Sequence, residues 1–477
     1  MQYRWLVNSP SRWSSVRLLS SLFVVPYLAV AAMDSAAEPL SFPQALERVR
    51  SRNEQVMAAQ EDVNQRLAER AAARGIRYPN VELDFEHIFI NDVISIKIDP
   101  IPWGLWMQDS RFTHANVKAT LPLYAGGLIG VAEDAADARV AEARAQGRTS
   151  DDELLTQLAE RYFGLCLAQR ARDVYALKVD VMERHAYRAQ RLMEEGIIAR
   201  IEYLNAQVAV ADAEREHQSA ARNVSIAHEG VRNITVSDEP LEPSTALFLI
   251  GDLESCEEFQ AYVDQGHPIL DMIAAKSDLA HQGVRAQEAE DKPTIYAFGM
   301  HELIEDQLTA LDPTWAAGLG MKWTLFDGFQ TRNKVKAAEA VERKVGYMRQ
   351  KIQRDLKTLV LKRYEEMEQA RDAYRALDAT LALTRENLRV RNRAFEEGLA
   401  TSVEVVDAAL SHARAQLGRV KAAYDFDVAF FHLLEACGRG DRCAEYLERA
   451  VPIAEHPPEA LFSQAEGSPT LETVKPE

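Results

Sequence analysis

The feature that most constrains this chain is that its plan is written twice. The segment Leu123-Tyr124-Ala125-Gly126-Gly127 resembles Leu325-Phe326-Asp327-Gly328, and Glu194-Glu195-Gly196 matches Glu396-Glu397-Gly398. Gly126 and Gly328 are 202 residues apart, and so are Gly196 and Gly398. Earlier in each copy, Asn53 pairs with His267 and Pro79 with Pro293, both at a separation of 214. Copy one therefore carries twelve extra residues (214 minus 202), which fall at about 90–110 and read as a longer loop. Self-similarity at fixed offsets marks one structural unit used twice.

Each copy passes through the same periodicities. A helical stretch comes first, at roughly 41–76 and 256–290. A period-2 segment follows the proline, then a loop, then a second period-2 segment running into the glycines. Ala115, Val117, Ala119, Leu121 and Leu123 alternate with His114, Asn116, Lys118 and Thr120. Trp315, Ala317, Leu319, Met321, Trp323 and Leu325 alternate with small or polar neighbours, and Val81, Leu83, Phe85 and Phe89 with Glu82, Asp84 and Glu86. The segment 294–300 is apolar on both faces, which leaves its register open. Strands of about ten residues with one apolar face fit a transmembrane β-barrel wall, and equally an ordinary half-buried sheet. In the membrane reading Leu83, Phe85, Val117, Leu121, Leu319, Met321 and Trp323 face lipid, with Trp103, Trp106 and Trp315 near an interface.

After the glycines the period becomes helical and stays so. Tyr374, Leu377, Leu381, Thr384, Leu388 and Phe395 keep 3/4 spacing with Arg391 as a polar exception, and Tyr175, Val179, Met182, Ala186 and Met193 are their counterparts. Beyond the second Glu-Glu-Gly, the seam Val403, Val406, Leu410, Ala413, Leu417, Val420 and Tyr424 continues. Such spacing means coiled-coil packing. One helix from Leu128 to Glu195 is about 100 Å long, with no globular core to lie on. Two such helices per copy do not close a bundle, and four strands do not close a barrel, whereas open edges are not tolerated in lipid. Both shortages call for oligomerisation.

Residues 1–37 read as a secretory signal peptide: Arg4, Arg12 and Arg17 precede an apolar run, Leu18 to Ala32, and small residues follow. The alternative, a membrane anchor, is too short and is interrupted by Pro26. With 55 Lys and Arg against 73 Asp and Glu, a formal charge of -18, nucleic acid is not an expected partner. No phosphate loop is present. His301-Glu302 opens a zinc-protease-like pattern, but Glu305 stands where the second histidine is required. No catalytic residue, metal or cofactor is therefore expected. Four cysteines exclude a disulfide scaffold. Cys437 and Cys443 can bridge in an oxidising compartment; free thiols, or pairing with Cys256, are the alternatives. Cys166 reads as core.

The doubled order of helix, hairpin, glycine turn and long helical hairpin resembles the TolC-like outer-membrane efflux proteins. Leu-Tyr-Ala-Gly-Gly and Leu-Phe-Asp-Gly, both Glu-Glu-Gly tips, and Thr401-Ser402-Val403-Glu404-Val405-Val406-Asp407-Ala408 carry the likeness, which covers about 41–436. Asn53-Glu54 departs from the family's Asn-Pro, which His267-Pro268 approaches. The resemblance implies an α+β membrane protein: a homotrimer whose four strands per chain make a twelve-stranded barrel, continued by a long α-helical coiled-coil periplasmic barrel. It implies a passive exit duct of an efflux pump or type I secretion system, meeting a periplasmic adaptor and an inner-membrane pump. The chain then divides into repeats at 38–230 and 256–436, with hairpins at 78–124 and 293–326 and tips near 196 and 398. Equatorial segments fill 231–255 and 437–477, the last twenty residues being disordered. A periplasmic adaptor and a secreted structural coiled coil are the competing classes, and the paired strands argue against both.

Three sets of residues carry the functional expectations. Gly126, Gly127 and Gly328 make the strand-to-helix turns. Gly196, Ile197, Gly398, Leu399 and Thr401 would, by resemblance, dock the adaptor at the tips, although glycines at 196 and 398 are equally required by the turn itself. Glu404 and Asp407, three residues apart, share one helix face. With Glu202, the copy-one equivalent of Glu404, they would ring a pore gate. Mutual repulsion there would raise some of their pKa values, and the alternative is a solvated face paired with Lys or Arg.

Overall fold

The structure is a computed structural model that describes residues 38–96, 105–239, 241–304 and 313–453. The signal segment, Trp103, Glu305 and the tail beyond 453 lie outside the described residues.

In copy one, strand β1 (Glu38–Leu40) leads into helices α1 (Phe42–Arg52) and α2 (Glu54–Gly75). Strand β2 (Asn80–Phe89), the short pair β3 (Ile94–Ile96) and β4 (Leu105–Gln108), and β5 (Arg111–Ala125) follow. Helices α3 (Leu128–Glu194) and α4 (Arg200–Thr235) close the copy, and β6 (Leu241–Pro243) and β7 (Phe248–Leu249) link it to the next. Copy two comprises α5 (Cys256–Val263), α6 (Pro268–Ala289), β8 (Thr294–Glu302), β9 (Trp315–Lys322), α7 (Gln330–Glu396) and α8 (Ser402–Cys437). The short α9 (Cys443–Glu448) and β10 (Val451–Pro452) end the described chain.

Equivalent helices are equal in length: α2 and α6 have 22 residues, α3 and α7 have 67, and α4 and α8 have 36. The first helical stretch of each copy is two helices rather than one. The break falls at Asn53 and His267, whose side chains accept the N–H of Gln55 at 2.9 Å and of Ile269 at 3.1 Å. These are equivalent N-caps, satisfying donors that the new helix leaves unpaired. Burial pushes the His267 imidazole below its ordinary pKa, which keeps Nδ1 free to accept.

The strands form one antiparallel sheet in the order β2-β5-β8-β9, while β3 and β4 make a small ladder within the longer loop of copy one. Ladder partners share a face, so Leu83, Val117, His301 and Trp315 form one row and Leu121, Ala297 and Leu319 another. Glu82, Lys118, Met300 and Ala316 lie on the opposite face. The register left open by sequence is settled by glycine: Tyr296 and Phe298 turn to that second face because their rings lie over Gly320 and Gly318, which lack the Cβ that would collide. Leu123 leaves the expected alternation at a bulge between Pro122 and Tyr124.

Along the helices the order is α2-α3-α6-α7 on the strand side, and α4-α3-α8-α7 toward the tips. The long helices are not without a core. Midway along them Phe42, Tyr162, Phe163, Phe248, Phe430 and Phe431 are buried together, Phe42 lying 4.9 Å from Phe431 and 5.2 Å from Phe163 between ring centroids. The Tyr162 hydroxyl donates to the Leu40 carbonyl at 2.6 Å and accepts the Thr245 N–H at 2.9 Å, tying the linker to α3. The segments expected to be irregular fold onto this core: β6 pairs parallel with β1, and β7 antiparallel with β10. Toward the tips the packing thins to two small clusters, one around Met182 and Leu388 and one around Phe395 and Val405.

Two expected seams shift by one position. On α7 the buried polar residue is Asn392, which donates to the Leu388 carbonyl at 2.9 Å, and Arg391 points outward. On α8 Ala413 is buried as expected, but the rest of the buried stripe is Val405, Ala408, Ala409, His412, Ala415, Arg419 and Ala422, while Val403 is exposed and Val406, Leu410 and Leu417 are half-buried. Alanines allow close helix approach within the chain, which leaves the larger aliphatics on the flank. All four cysteines are free thiols, so of the alternatives left open for Cys437 and Cys443 the structure has the unbridged one. Cys437 neighbours Cys256, whereas Cys443 neighbours Arg50 across the core, and burial pushes both thiols up to about 12.

Candidate functional site: tips, turns and sheet

Each tip is a helix that reverses through glycine. After α3, Gly196 takes φ +74°, its N–H donates to the Met193 carbonyl at 3.0 Å, and Ile197 N–H donates to Leu192 at 2.8 Å. After α7, Gly398 takes φ +71°, with Gly398 N–H to Phe395 at 3.0 Å and Leu399 N–H to Ala394 at 2.8 Å. Both are Schellman-type endings, which need a left-handed residue and satisfy the last carbonyls. The two tips touch, because an Ile197 methyl lies 3.6 Å from where a Cβ on Gly398 would sit. Ile197 and Leu399 are nevertheless 54% and 78% exposed, an apolar pair facing outward at the end of the molecule.

The helices leaving the tips begin differently. Thr401 caps α8 and Glu404 closes a capping box, accepting the Thr401 N–H at 2.8 Å. Ala199, at the equivalent place, has no side chain to cap α4. Glu202 accepts instead the N–H of Ser402 on α8 at 2.7 Å. Three further contacts, none evident in the sequence, join the two hairpins here. His185 Nε2 and the Ser402 hydroxyl are 2.7 Å apart, the His185 ring packs on Phe395 at 4.6 Å, and Arg188 pairs with Glu396 at 3.0 Å. His185 and Ser402 are fully buried, and burial, with the Arg188 charge adding to it, lowers the His185 pKa to about 4. Partners 217 residues apart leave no local pattern to read.

The three expected gate carboxylates therefore have three environments. Glu404 pairs with Arg391 at 3.0 Å, and its bond from the Thr401 N–H, with the Arg391 charge, holds the carboxyl below its usual range. Asp407 is exposed, and among the described residues no cation pairs with it. Glu202 is engaged as an inter-hairpin cap.

At the other end, the strand-to-helix turns differ between copies. Gly126 and Gly127 both have positive φ, +64° and +93°, and Gly127 caps α3. In copy two Gly328 is at +70°, but the residue equivalent to Gly127 is Phe329, held at +67°. Asp327 supports that turn by accepting the Thr331 hydroxyl and N–H, both at 2.7 Å, and the Gln330 N–H at 3.1 Å, and these bonds, the hydroxyl's foremost, lower its pKa. The sheet itself exposes apolar side chains: Leu83 is 67%, Phe85 69% and Leu319 73% exposed. Among the described residues, strands β2 and β9 each have one unpaired edge. His301 and Glu302 lie on β8, where Glu302 accepts the Ala115 N–H at 2.6 Å, instead of on the helix a zinc-protease motif requires.

The family model described as outer membrane efflux protein matches residues 45–235 and 263–439. Among curated proteins none matches the sequence. Among solved structures, a membrane protein from Pseudomonas aeruginosa is similar with a TM-score of 0.72, at 15% identity, over 83% of this chain and 90% of that one. The outer membrane protein VceC of Vibrio cholerae gives 0.68 at 13% identity, over 83% and 96%. The open state of the MtrE outer membrane channel of Neisseria gonorrhoeae gives 0.68 at 16% identity, over 84% and 89%. At these identities the structural likeness is one of fold.

Proposed function

The chain belongs to the outer membrane efflux protein family, and we propose that three copies of it form one passive duct through the outer membrane. Its place is the outer membrane. The observation that carries the reading is a four-stranded sheet with two unpaired edges and an exposed apolar face, continued by two 67-residue helices. Three such sheets joined edge to edge make twelve strands and leave no open edge in lipid. The helices of the three copies continue the barrel into the periplasm as a coiled-coil tunnel. Residues 1–37 direct export, and the repeats 38–230 and 256–436 each supply one strand pair and one helical hairpin.

In this reading the chain performs no chemistry. A periplasmic adaptor docks on the tips, where Ile197 and Leu399 offer exposed apolar contact and Gly196, Gly398 and Thr401 hold the turns. Opening connects the duct to an inner-membrane pump, of an efflux or type I secretion system. Asp407, open to solvent on α8, is the carboxylate best placed to line the entrance; Glu404, clamped by Arg391, and Glu202, capping α8, hold the helices that present it. A ring of carboxylates favours cations. The test is single-channel conductance of purified trimers carrying Glu404→Gln and Asp407→Asn together. Reduced cation preference and divalent block are expected, and unchanged selectivity and block would place both residues outside the pore.

A further inference from the structure

We infer that Lys344 on α7 pairs with Asp62 on α2 of the adjacent copy, in a joint whose charges are reversed relative to its equivalent inside each chain. The inference rests on the trimer reading above.

Within one chain α6 lies along α3, and three ion pairs cross between them: Arg285 to Asp134 at 2.8 Å, Lys276 to Glu142 at 3.5 Å, and Asp271 to Arg148 at 2.7 Å. Asp134, Ala138, Glu142 and Ala145 follow at steps of three and four, so they occupy one face of α3. Ala138 and Ala145 are buried on it. Adding 202 gives the same face of α7: Lys336, Ala340, Lys344 and Tyr347. Among the described residues nothing in the chain covers that face. Tyr347 is 70% exposed, and Ala340, Lys344 and Tyr347 line an open groove of about 430 Å³.

The row of helices on this side runs α2-α3-α6-α7, so α7 and α2 are its two ends, and α2 has no buried residue. The elements α2 and α6 are equivalent at the offset of 214. A ring closed by repeating the chain therefore lays α2 of the next copy on α7 as α6 lies on α3. The counterpart of Glu142 is then Lys344 and that of Lys276 is Asp62. The other two pairs do not carry over, becoming Lys336 with Ala71 and Gln350 with Met57. Neither Lys344 nor Asp62 forms an ion pair within the chain among the described residues. Arg343 and Lys351 also line the groove but are paired with Glu339 and Asp355 in their own helix, which leaves Lys344, among the described residues, as the unpaired cation there. The reversal distinguishes two otherwise similar joints: a misplaced α2 on the α6 site would set Asp62 against Glu142, and a misplaced α6 on α7 would set Lys276 against Lys344. Like-charge contacts of this kind specify partners more than they add affinity.

The experiment uses the full chain purified from outer membranes. Lys344→Glu and Asp62→Lys are each expected to lower the SDS resistance of the trimer, and the double exchange to restore it. Lys344→Cys with Asp62→Cys, treated with a short bis-maleimide, is expected to give covalent dimers and trimers absent from the parent and from each single variant. A stable trimer with neither rescue nor cross-linking overturns the pair while leaving the trimer intact. A parent chain that is monomeric by light scattering overturns the trimer reading beneath it.

Discussion

The two copies agree in dimension and differ in chemistry. Three of the four helices of one copy match their counterparts residue for residue in length, yet Gly127 becomes Phe329, Ala199 becomes Thr401, and Glu142 becomes Lys344. Length is held because both hairpins must start at the same sheet and end at the same tip plane. Chemistry is released because equivalent positions meet different neighbours. Glu202 and Glu404 illustrate the point: the same residue type at the same place caps the sibling hairpin in one copy and its own helix in the other, beside an N-cap that is Ala199 in one and Thr401 in the other. Such a duplicated chain builds a near-symmetric wall whose halves are not interchangeable.

The largest test of the shared dimension is the wall itself. Val117 and Leu319 are equivalent at 202 and lie on the apolar face. Val117→Arg and Leu319→Arg should each cost about 2–4 kcal/mol of folding into bilayers, and Thr120→Arg on the polar face little. Gly320 is no neutral control, since Tyr296 occupies its Cβ space. Equal tolerance at all three sites would mean the sheet does not face lipid.

A smaller effect separates the tips by pH. His185 is buried and neutral, with a pKa of about 4 against 6.5 unfolded, and its copy-one position corresponds to Asn387, which does not titrate. A depressed histidine contributes stability that is fully present above pH 6.5 and lost as pH falls toward 4, on the order of 3 kcal/mol in all. Hydrogen exchange should accelerate in this window around 185–189 and 402–406, and stay flat around 387–391 in the same protein. Uniform acceleration, or its persistence in His185→Asn, would remove the assignment.

The smallest comparison concerns the turns. Gly328→Ala meets only the left-handed backbone penalty of about 1–2 kcal/mol. Gly126→Ala meets that and more, because its Cβ would stand 2.6 Å from the Ala289 carbonyl oxygen and 2.9 Å from Lys292 Cβ. Thermal unfolding in detergent should rank Gly126→Ala below Gly328→Ala, and the reverse order would mean the α6 end gives way freely.

How far the residues could be read depended on the range of the interactions. Strand alternation, glycine reversals and the offsets of 202 and 214 are local or repeated patterns, and they led to the family resemblance without contacts. The seams were read one step wrong near Arg391 because a 3/4 rhythm does not say whether Asn392 or Arg391 turns inward; the buried amide that satisfies itself on Leu388 decides. The cysteines were open for a related reason: five intervening residues say nothing of direction, and the sequence left a bridge and free thiols as alternatives, of which the structure has free, buried thiols at 437 and 443.

The sequence by itself determined the periods, the lengths and the doubling, since each follows from backbone geometry repeated along one chain. Only the tertiary structure decided which strand face Tyr296 and Phe298 join, where the aromatic core gathers along 100 Å helices, and that His185, Glu202 and Ser402 meet at the tip. Those choices depend on which surfaces approach across separations from about 20 residues in the sheet to 200 and more at the tip and in the core. There the energy lies in burial and in paired polar groups, and neither is written in any local stretch of sequence.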